Sequence, residues 1–164
     1  MKIILFIMIS VSLLNADFTK SNNIVIDNHS GLQWQDNEIG TEMIWEDAIT
    51  YCEDLTLNGY DDWRLPNVKE LHSIVDYSKS PDTTNSAAID DIFNSTSFIN
   101  EEGETDWGYY WSSTTHATSE TGKSGAYVSF GRALGYMNNN ISDVHGAGAQ
   151  RSNNKIDISS DQSV

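Results

Sequence analysis

The chain is poor in the residues that cross-link or bend a backbone, since its 164 residues include one cysteine and two prolines. The single cysteine, Cys52, excludes an internal disulfide and any zinc site built from cysteine pairs. In an exported protein such a thiol is free, bridged to another chain, or without its usual partner. Basic residues are also scarce, because 9 Lys and Arg stand against 24 Asp and Glu, for a formal net charge of −15. This charge repels nucleic acid, anionic lipid and sulfated polysaccharide, so none of them is an expected partner.

A long hydrophobic run is missing as well. The apolar segment Ile3–Leu14 follows Lys2 and is shorter than the roughly 20 residues that a membrane-spanning helix needs. A basic start, a short apolar stretch and a small residue near its end predict a signal peptide over residues 1–16, cleaved after Ala16. The alternatives are a buried first strand or a retained anchor. We therefore expect an exported protein, periplasmic or at the cell surface, with no membrane-spanning segment after cleavage.

Alternating or β-branched segments predict strands towards both ends of the chain. Ile24–Asp27 and Leu32–Gln35 flank the turn-rich Asn28–Gly31, which predicts a hairpin. Further strands are predicted at Tyr109–Ser113, Ala126–Phe130 and Arg132–Met137, with polar loops over 78–87 and 114–125.

Two helices are predicted between these strands. The apolar stripe over Trp45–Leu55 has helical spacing, with Thr41 as the expected N-cap and Asn58-Gly59 as the expected end. Asn67 and Glu70 have the spacing of a capping box, which predicts the start of the second helix.

This order of elements indicates an α+β domain over residues 17–151, because strands at both ends enclose the helices. Residues 152–164 are polar and have no periodic face, so we expect them to form a disordered tail.

Several stretches match, in this order, a pattern known from one family. They are Asp27-Asn28-His29-Ser30-Gly31-Leu32-Gln33-Trp34, the helix with Trp45, Ala48 and Cys52, Gly59-Tyr60-Asp61-Asp62-Trp63-Arg64-Leu65-Pro66, Glu70-Leu71, Tyr110-Trp111-Ser112-Ser113-Thr114 and His145-Gly146-Ala147-Gly148-Ala149-Gln150-Arg151-Ser152. The chain thereby resembles the Lcl C-terminal domain family of exported bacterial domains, from about Asn23 to Ser152.

The resemblance implies a C-type-lectin-like fold, with a mixed antiparallel sheet, two helices and long loops. It also implies a binding role, because the founding member of the family binds sulfated polysaccharides and host surfaces. Family members usually continue into a final strand, and here that strand and a partner for Cys52 are expected to be missing. The sheet would then have an unpaired edge. The acidity of the chain argues against carrying over the preference for sulfated glycans.

Aromatic residues provide the main candidate ligand site. Trp107, Tyr109 and Tyr110 precede the loop 114–125, and together with His116 they predict an exposed ligand-binding rim. The alternative, which the sequence favours, is a partly buried aromatic cluster.

A structural role is favoured for the other tryptophans. Trp63 and Arg64 could stack on and hydrogen-bond to a sugar, but they lie between a helix end and the helix that follows Pro66. This position favours a core Trp63 and an Arg64 paired with an aspartate or a carbonyl. The same interpretation applies to the remaining three, Trp34, Trp45 and Trp111.

The sequence has no recognisable pattern for catalysis or metal binding. None of the histidines, His29, His72, His116 and His145, has a second ligand at metal-binding spacing, so we interpret them as surface or hydrogen-bonding residues. Asp61-Asp62 and Glu101, Glu102 and Glu104 lack the spacing of a calcium loop. The run His145-Gly146-Ala147-Gly148 has no nucleophile elbow to accompany it. We expect no catalytic residue, no metal and no cofactor.

The sequence thus leads to two hypotheses of function. The first is an exported, non-catalytic module that contacts a glycan or a surface protein through its loops. The second is a truncated or partner-completed structural domain with no independent activity.

Overall fold

The computed structural model describes residues 17–36, 41–117 and 122–156, together with the backbone of Gln162 and Ser163. The predicted signal peptide, residues 1–16, lies outside the described residues and stays a prediction. Among the helices that are described, none is both long and apolar enough to cross a membrane.

The first sheet is an antiparallel meander of three short strands, β1 (Phe18–Ser21), β2 (Ile24–Asp27) and β3 (Gln33–Gln35). Asn22 and Asn23 have φ values of 48° and 66°, which asparagine tolerates well, and they turn the chain between β1 and β2. The predicted hairpin of β2 and β3 is confirmed. Strand β1 was not predicted, because its residues are mostly polar and exposed.

The first helix, α1 (Trp45–Glu53), buries Ala48 and Cys52 against the rest of the domain. The predicted N-cap was wrong, because the cap is Ile44 and no side chain caps the helix. The helix also ends earlier than predicted, with Asp54 as its C-cap, and Asn58 and Gly59 form a separate turn at positive φ.

The second helix, α2 (Val68–Ser73), starts as the sequence predicts. The Asn67 side chain accepts hydrogen bonds from the backbone N–H groups of Lys69 and Glu70 at 2.9 and 3.0 Å. The Glu70 carboxylate in return accepts one from the Asn67 N–H at 2.8 Å, which completes the capping box. A third, four-residue helix, α3 (Pro81–Thr84), lies in the segment predicted as a loop and is capped by Ser80.

From Ser97 onwards, the regular elements in the described part of the chain are strands. They are β4 (Ser97–Ile99), β5 (Thr105–Trp107), β6 (Tyr109–His116), β7 (Ser124–Ser129), β8 (Leu134–Met137), β9 (Asn140–Asp143), β10 (Gln150–Asn154) and β11 (Gln162–Ser163). β4 pairs with β5 and β8 pairs with β9 in two separate hairpins. The main sheet has the order β10-β7-β6-β11, in which β11 alone runs parallel to its neighbour. The α+β class with mixed strand directions and long loops is therefore confirmed.

Two predictions about this half need correction. The segment 114–125 is not a loop throughout, because β6 extends to His116 and β7 starts at Ser124. The prediction of a disordered tail from residue 152 is wrong for residues 152–154, which belong to β10 and pair with β7. β10 lies next to β7, and the backbone of the two-residue β11 lies next to β6, so these two strands form the edges of the main sheet. Residues 157–161 and 164 lie outside the described residues.

The core consists of two clusters on the sheet formed by β6 and β7. The larger cluster lies mainly under α2 and includes Val25, Leu71, Ile74, Ala87, Phe93, Trp107, Val128 and Phe130. The smaller cluster lies under α1 and includes Ala48, Cys52, Leu65, Trp111 and Tyr127. Gly125 of β7 is needed here, because a Cβ atom at this position would come within 2.5 Å of the Trp45 ring.

The segment after β10 returns to the start of α1. The carbonyl of Lys155 accepts a hydrogen bond from the backbone N–H of Trp45 at 3.1 Å. The Lys155 ammonium lies 3.7 Å from the centroid of the Trp45 ring, in cation–π geometry. Helix α1, which lacks a side-chain cap, is thus held at its N-terminus by a distant part of the chain.

Candidate functional site

A cleft of about 420 Å³ lies between β3, α1, α2 and the start of β6. Its volume lies within the range of about 300–1,000 Å³ that is usual for small-ligand sites. The lining draws on both core clusters, with Leu71, Phe93 and Trp107 from the larger one and Leu65 and Trp111 from the smaller one. The cleft therefore has an apolar floor.

Aromatic and polar side chains surround this floor. Tyr60 and Tyr51 are the most exposed aromatic rings in the lining, with 48% and 37% of their surface accessible. The Tyr51 hydroxyl accepts a hydrogen bond from the Gln35 amide at 3.0 Å. The Asp62 carboxylate is exposed in the lining and has no polar partner within the described residues. The rim thus combines flat rings with hydrogen-bonding groups.

The indole N–H groups of the tryptophans differ in how they are satisfied. The N–H of Trp45 donates to the Ser112 carbonyl at 2.7 Å, and that of Trp111 donates to the Met43 carbonyl at 3.0 Å. The N–H groups of Trp34 and Trp63 are buried in the cleft wall and have no acceptor among the described residues. A buried donor without an acceptor costs about 1–3 kcal/mol, so these two positions stand out.

Arg64 and Glu70 form the polar corner of the cleft. The guanidinium donates two parallel hydrogen bonds to the Glu70 carboxylate, at 2.8 and 2.6 Å. The predicted partner for Arg64 was an aspartate or a carbonyl. The guanidinium does donate to the Leu65 carbonyl, at 3.5 Å, but its shorter bonds go to a glutamate that also closes the capping box of α2. This hydrogen bonding with Arg64 lowers the pKa of Glu70, and the Asn67 N–H contributes in the same direction.

The lowered pKa of Glu70 predicts a pH dependence of stability. The stabilisation is fully present above the unfolded-state pKa, about 4.3, and is lost as the pH falls through the lower folded-state pKa. We therefore expect the gap in unfolding free energy between the wild type and Glu70→Gln to shrink as the pH is lowered from 7 to about 3. Urea unfolding at each pH measures this gap, with Glu42→Gln, at an exposed position, as the control. A gap that is constant with pH contradicts the prediction.

A buried acid, Asp36, lies in the wall of the cleft. Asp36, only 5% exposed, accepts a hydrogen bond from the Asn94 N–H at 2.8 Å and forms an ion pair with Lys20 of β1. Burial raises the pKa of Tyr110, which also lines the cleft, and the negative charge of Asp36 adds to this effect.

Cys52 also belongs to the lining and is a free, buried thiol. Burial raises its pKa to about 11, and the charge of Glu53 contributes to the shift. The thiol is therefore protonated at neutral pH and behaves as a small apolar group in the cleft wall.

The rim predicted from the sequence does not form as expected. Trp107 is only 9% exposed and belongs to the larger core cluster, so the expectation of an exposed ring is wrong. Tyr109 and Tyr110 are half-buried and pack on Tyr127 and Phe130, with ring centroids 5.4 and 5.5 Å apart. The structure thus agrees with the alternative of a partly buried cluster.

The predicted site residues are only partly brought together. Trp107 and Tyr110 line the cleft, whereas Tyr109 does not. His116 is exposed at the end of β6, where its Nδ1 atom lies 3.2 Å from the Ser152 hydroxyl. Of the residues interpreted as structural, Trp34, Trp63, Arg64, Pro66 and Trp111 line the cleft.

The histidines and acidic groups keep to separate local contacts. His29 lies 3.0 Å from the Asp17 carboxylate, and His72 lies 2.9 Å from the Tyr77 hydroxyl. Over residues 17–36, 41–117 and 122–156, no three His, Cys, Asp or Glu side chains are grouped as metal ligands would be.

Comparison with known proteins gives one match. The family model of the Lcl C-terminal domain matches residues 23–146, which is more than half of the chain. Neither the curated proteins nor the solved structures yield a match.

Proposed function

We propose, from the premise that the chain belongs to the Lcl C-terminal domain family, that it is an exported, non-catalytic binding module whose cleft holds a carbohydrate. The observation that carries the proposal is the cleft between β3, α1, α2 and β6, with its apolar floor and exposed tyrosines. Flat rings bind the apolar faces of sugars, while a few convergent polar groups orient the ligand.

The position of the family motifs supports this site. Gly31 to Trp34, Asp62 to Pro66, and Tyr110-Trp111 come from three distant segments of the chain, and all of them line the same cleft. The motif His145–Ser152 lies elsewhere, in the turn before β10 and at its start. Three of the stretches that give the chain its family resemblance therefore line the proposed site.

The charge of the protein favours an uncharged ligand. The formal net charge is −15, and the carboxylates of Asp36, Asp62 and Glu70 line the cleft. Sulfated or carboxylated polysaccharides would be repelled by this field, whereas a neutral glycan would not. We therefore propose a neutral glycan as the partner.

A glycan array probed with the purified protein and two variants tests the proposal. Tyr60→Ala removes a ring from the cleft rim, and Tyr136→Ala removes a ring that is 79% exposed on β8, outside the cleft. We expect binding to neutral glycans that Tyr60→Ala weakens severalfold and Tyr136→Ala leaves unchanged. If both variants lose the same share of glycan affinity, the binding surface is not the cleft. If the protein binds no glycan at all, the proposal is refuted.

Two other hypotheses are a protein ligand and a partner-completed structural domain. A protein ligand would be indicated if an array of surface proteins gives binding that Tyr60→Ala abolishes while the glycan array stays blank. The partner-completed structural domain has less support, because β10 and β11 occupy the positions beside β7 and β6.

A further inference from the structure

The two unsatisfied indole donors restrict what kind of ligand the cleft can hold. Both nitrogens, in Trp34 and Trp63, are buried in its wall without an acceptor among the described residues. An incoming group that brings a hydrogen-bond acceptor would remove the desolvation cost carried by each buried donor. A second donor or a cation at this point would increase that cost. The ligand group that reaches these nitrogens must therefore be an acceptor.

The surroundings of the donors restrict the acceptor further. Leu65, Ile74 and Phe93 give the cleft an apolar floor, in which a buried carboxylate or sulfate would be costly. A hydroxyl group at this point would bring a donor of its own beside the indole N–H donors, whereas a carbonyl brings only an acceptor. A neutral carbonyl joined to a small apolar group meets both conditions, because its oxygen accepts and its methyl group packs on the floor.

We infer that the cleft recognises an N-acetylated amino sugar, whose acetamido carbonyl accepts a hydrogen bond from the indole N–H of Trp34 or Trp63. The inference rests on the proposed function and specifies the sugar. Both nitrogens lie beneath the accessible surface, so the acetamido group enters between side chains of the wall instead of resting on the rim. The sugar ring then lies against Tyr60 or Tyr51, and its remaining hydroxyls have the exposed Asp62 carboxylate as an acceptor.

Three trisaccharides with the same β1,4 linkage separate the acetamido group from the rest of the sugar. N,N′,N″-triacetylchitotriose carries it, cellotriose has a hydroxyl in its place, and chitotriose has a free amine. Calorimetric titration of the purified protein should show that the acetylated sugar binds at least about tenfold more tightly than the other two, since one satisfied buried donor is worth about that factor.

Indole-selective variants locate the contact. Trp63→Phe and Trp34→Phe keep an aromatic ring but remove the N–H, and we expect one or both to lose the preference, so that the acetylated sugar and cellotriose bind such a variant with similar affinity. Trp45→Phe is the matched control, because its N–H is already bonded to the Ser112 carbonyl and it lies outside the lining. In ¹H–¹⁵N spectra, the indole signals of Trp34 or Trp63 should shift on addition of the acetylated sugar, and that of Trp45 should not.

The possible failures are distinguishable. Equal affinity for the three trisaccharides, lost together in Tyr60→Ala, overturns the acetamido inference and leaves the proposed carbohydrate site standing. Binding of none of the trisaccharides, nor of any glycan on the array, overturns both. Binding of an acetyl-lysine peptide in the absence of saccharide binding overturns both in favour of a protein ligand.

Discussion

Replacing Asp106 by alanine is expected to lower the free energy of unfolding by about 3–5 kcal/mol, because it leaves a buried arginine and several buried donors without their acceptor. Asp106 is 1% exposed at the centre of a polar network inside the domain. One carboxylate oxygen accepts hydrogen bonds from the backbone N–H groups of Trp107 and Arg132, at 2.9 and 2.8 Å. The other accepts one from the Asn100 amide at 3.1 Å.

The arginine makes the loss larger. The Arg132 side chain is 10% exposed, and its guanidinium lies 3.9 Å from the Asp106 carboxylate. It also donates to the Asp82 carboxylate and to the Thr105 carbonyl, at 2.7 and 2.9 Å. Without Asp106, the positive charge of Arg132 stays buried, and its remaining partners, such as Asp82 and Thr105, lie nearer the surface.

Asp82 provides a matched control for this prediction. It pairs with the same guanidinium, but its side chain is 58% exposed, so Asp82→Ala should cost no more than about 1 kcal/mol. Urea unfolding of the two variants measures the difference directly. If the two losses are alike, the burial of Asp106 is not what makes it important.

Truncation of Trp111 to alanine is expected to be about as damaging, with a loss of about 3–5 kcal/mol. The ring is 1% exposed and packs edge-on against Tyr127, with centroids 5.8 Å apart. Its indole N–H donates to the Met43 carbonyl at 3.0 Å, which ties the segment before α1 to β6. Truncation would therefore create a cavity and also free that segment.

Trp111→Phe separates these two contributions. Phenylalanine keeps much of the packing but leaves the Met43 carbonyl without its donor, so we expect a smaller loss than for alanine. Tyr136→Ala, at a ring that is 79% exposed, should change the unfolding free energy by less than about 0.5 kcal/mol. Thermal and urea unfolding check the order, and a Trp111→Ala variant as stable as Tyr136→Ala contradicts it.

Elements that depend on neighbouring residues were predictable from the sequence. The hairpin of β2 and β3 requires only a turn between two alternating segments. The start of α2 requires only Asn67 and Glu70, and the structure forms the predicted capping box with both reciprocal bonds. In each case the interacting groups lie a few residues apart, so their spacing carries the information.

Strands that depend on distant partners were not predictable in the same way. β10 has the polar sequence Gln150–Asn154, and its residues 152–154 were expected to be disordered, but its backbone pairs along its whole length with β7. Backbone hydrogen bonds supplied by a neighbouring strand do not require apolar side chains, and hence leave no periodic pattern. The hairpin of β4 and β5 was not predicted either, because its strands have three residues each and are too short to show a periodic pattern.

The candidate site shows the same limit. The sequence identified Trp34 and Trp63 as important and assigned both to the core, together with Trp45 and Trp111. The four residues are chemically identical, and only their tertiary surroundings decide which N–H finds a carbonyl. The exposed ring of Tyr60 stood within a recognised motif, and that motif was the available signal for the rim of the cleft.

The return of Lys155 to the start of α1 has a consequence for the order in which the domain can assemble. A chain that emerges from its N-terminus can form the β1–β3 meander early, because all of its partners are close in sequence. The first turn of α1 has to wait, since the Lys155 carbonyl, which accepts from the backbone N–H of Trp45, follows much later along the chain. We expect the helix to be frayed in nascent chains and to become protected from hydrogen exchange only once residue 155 has been released.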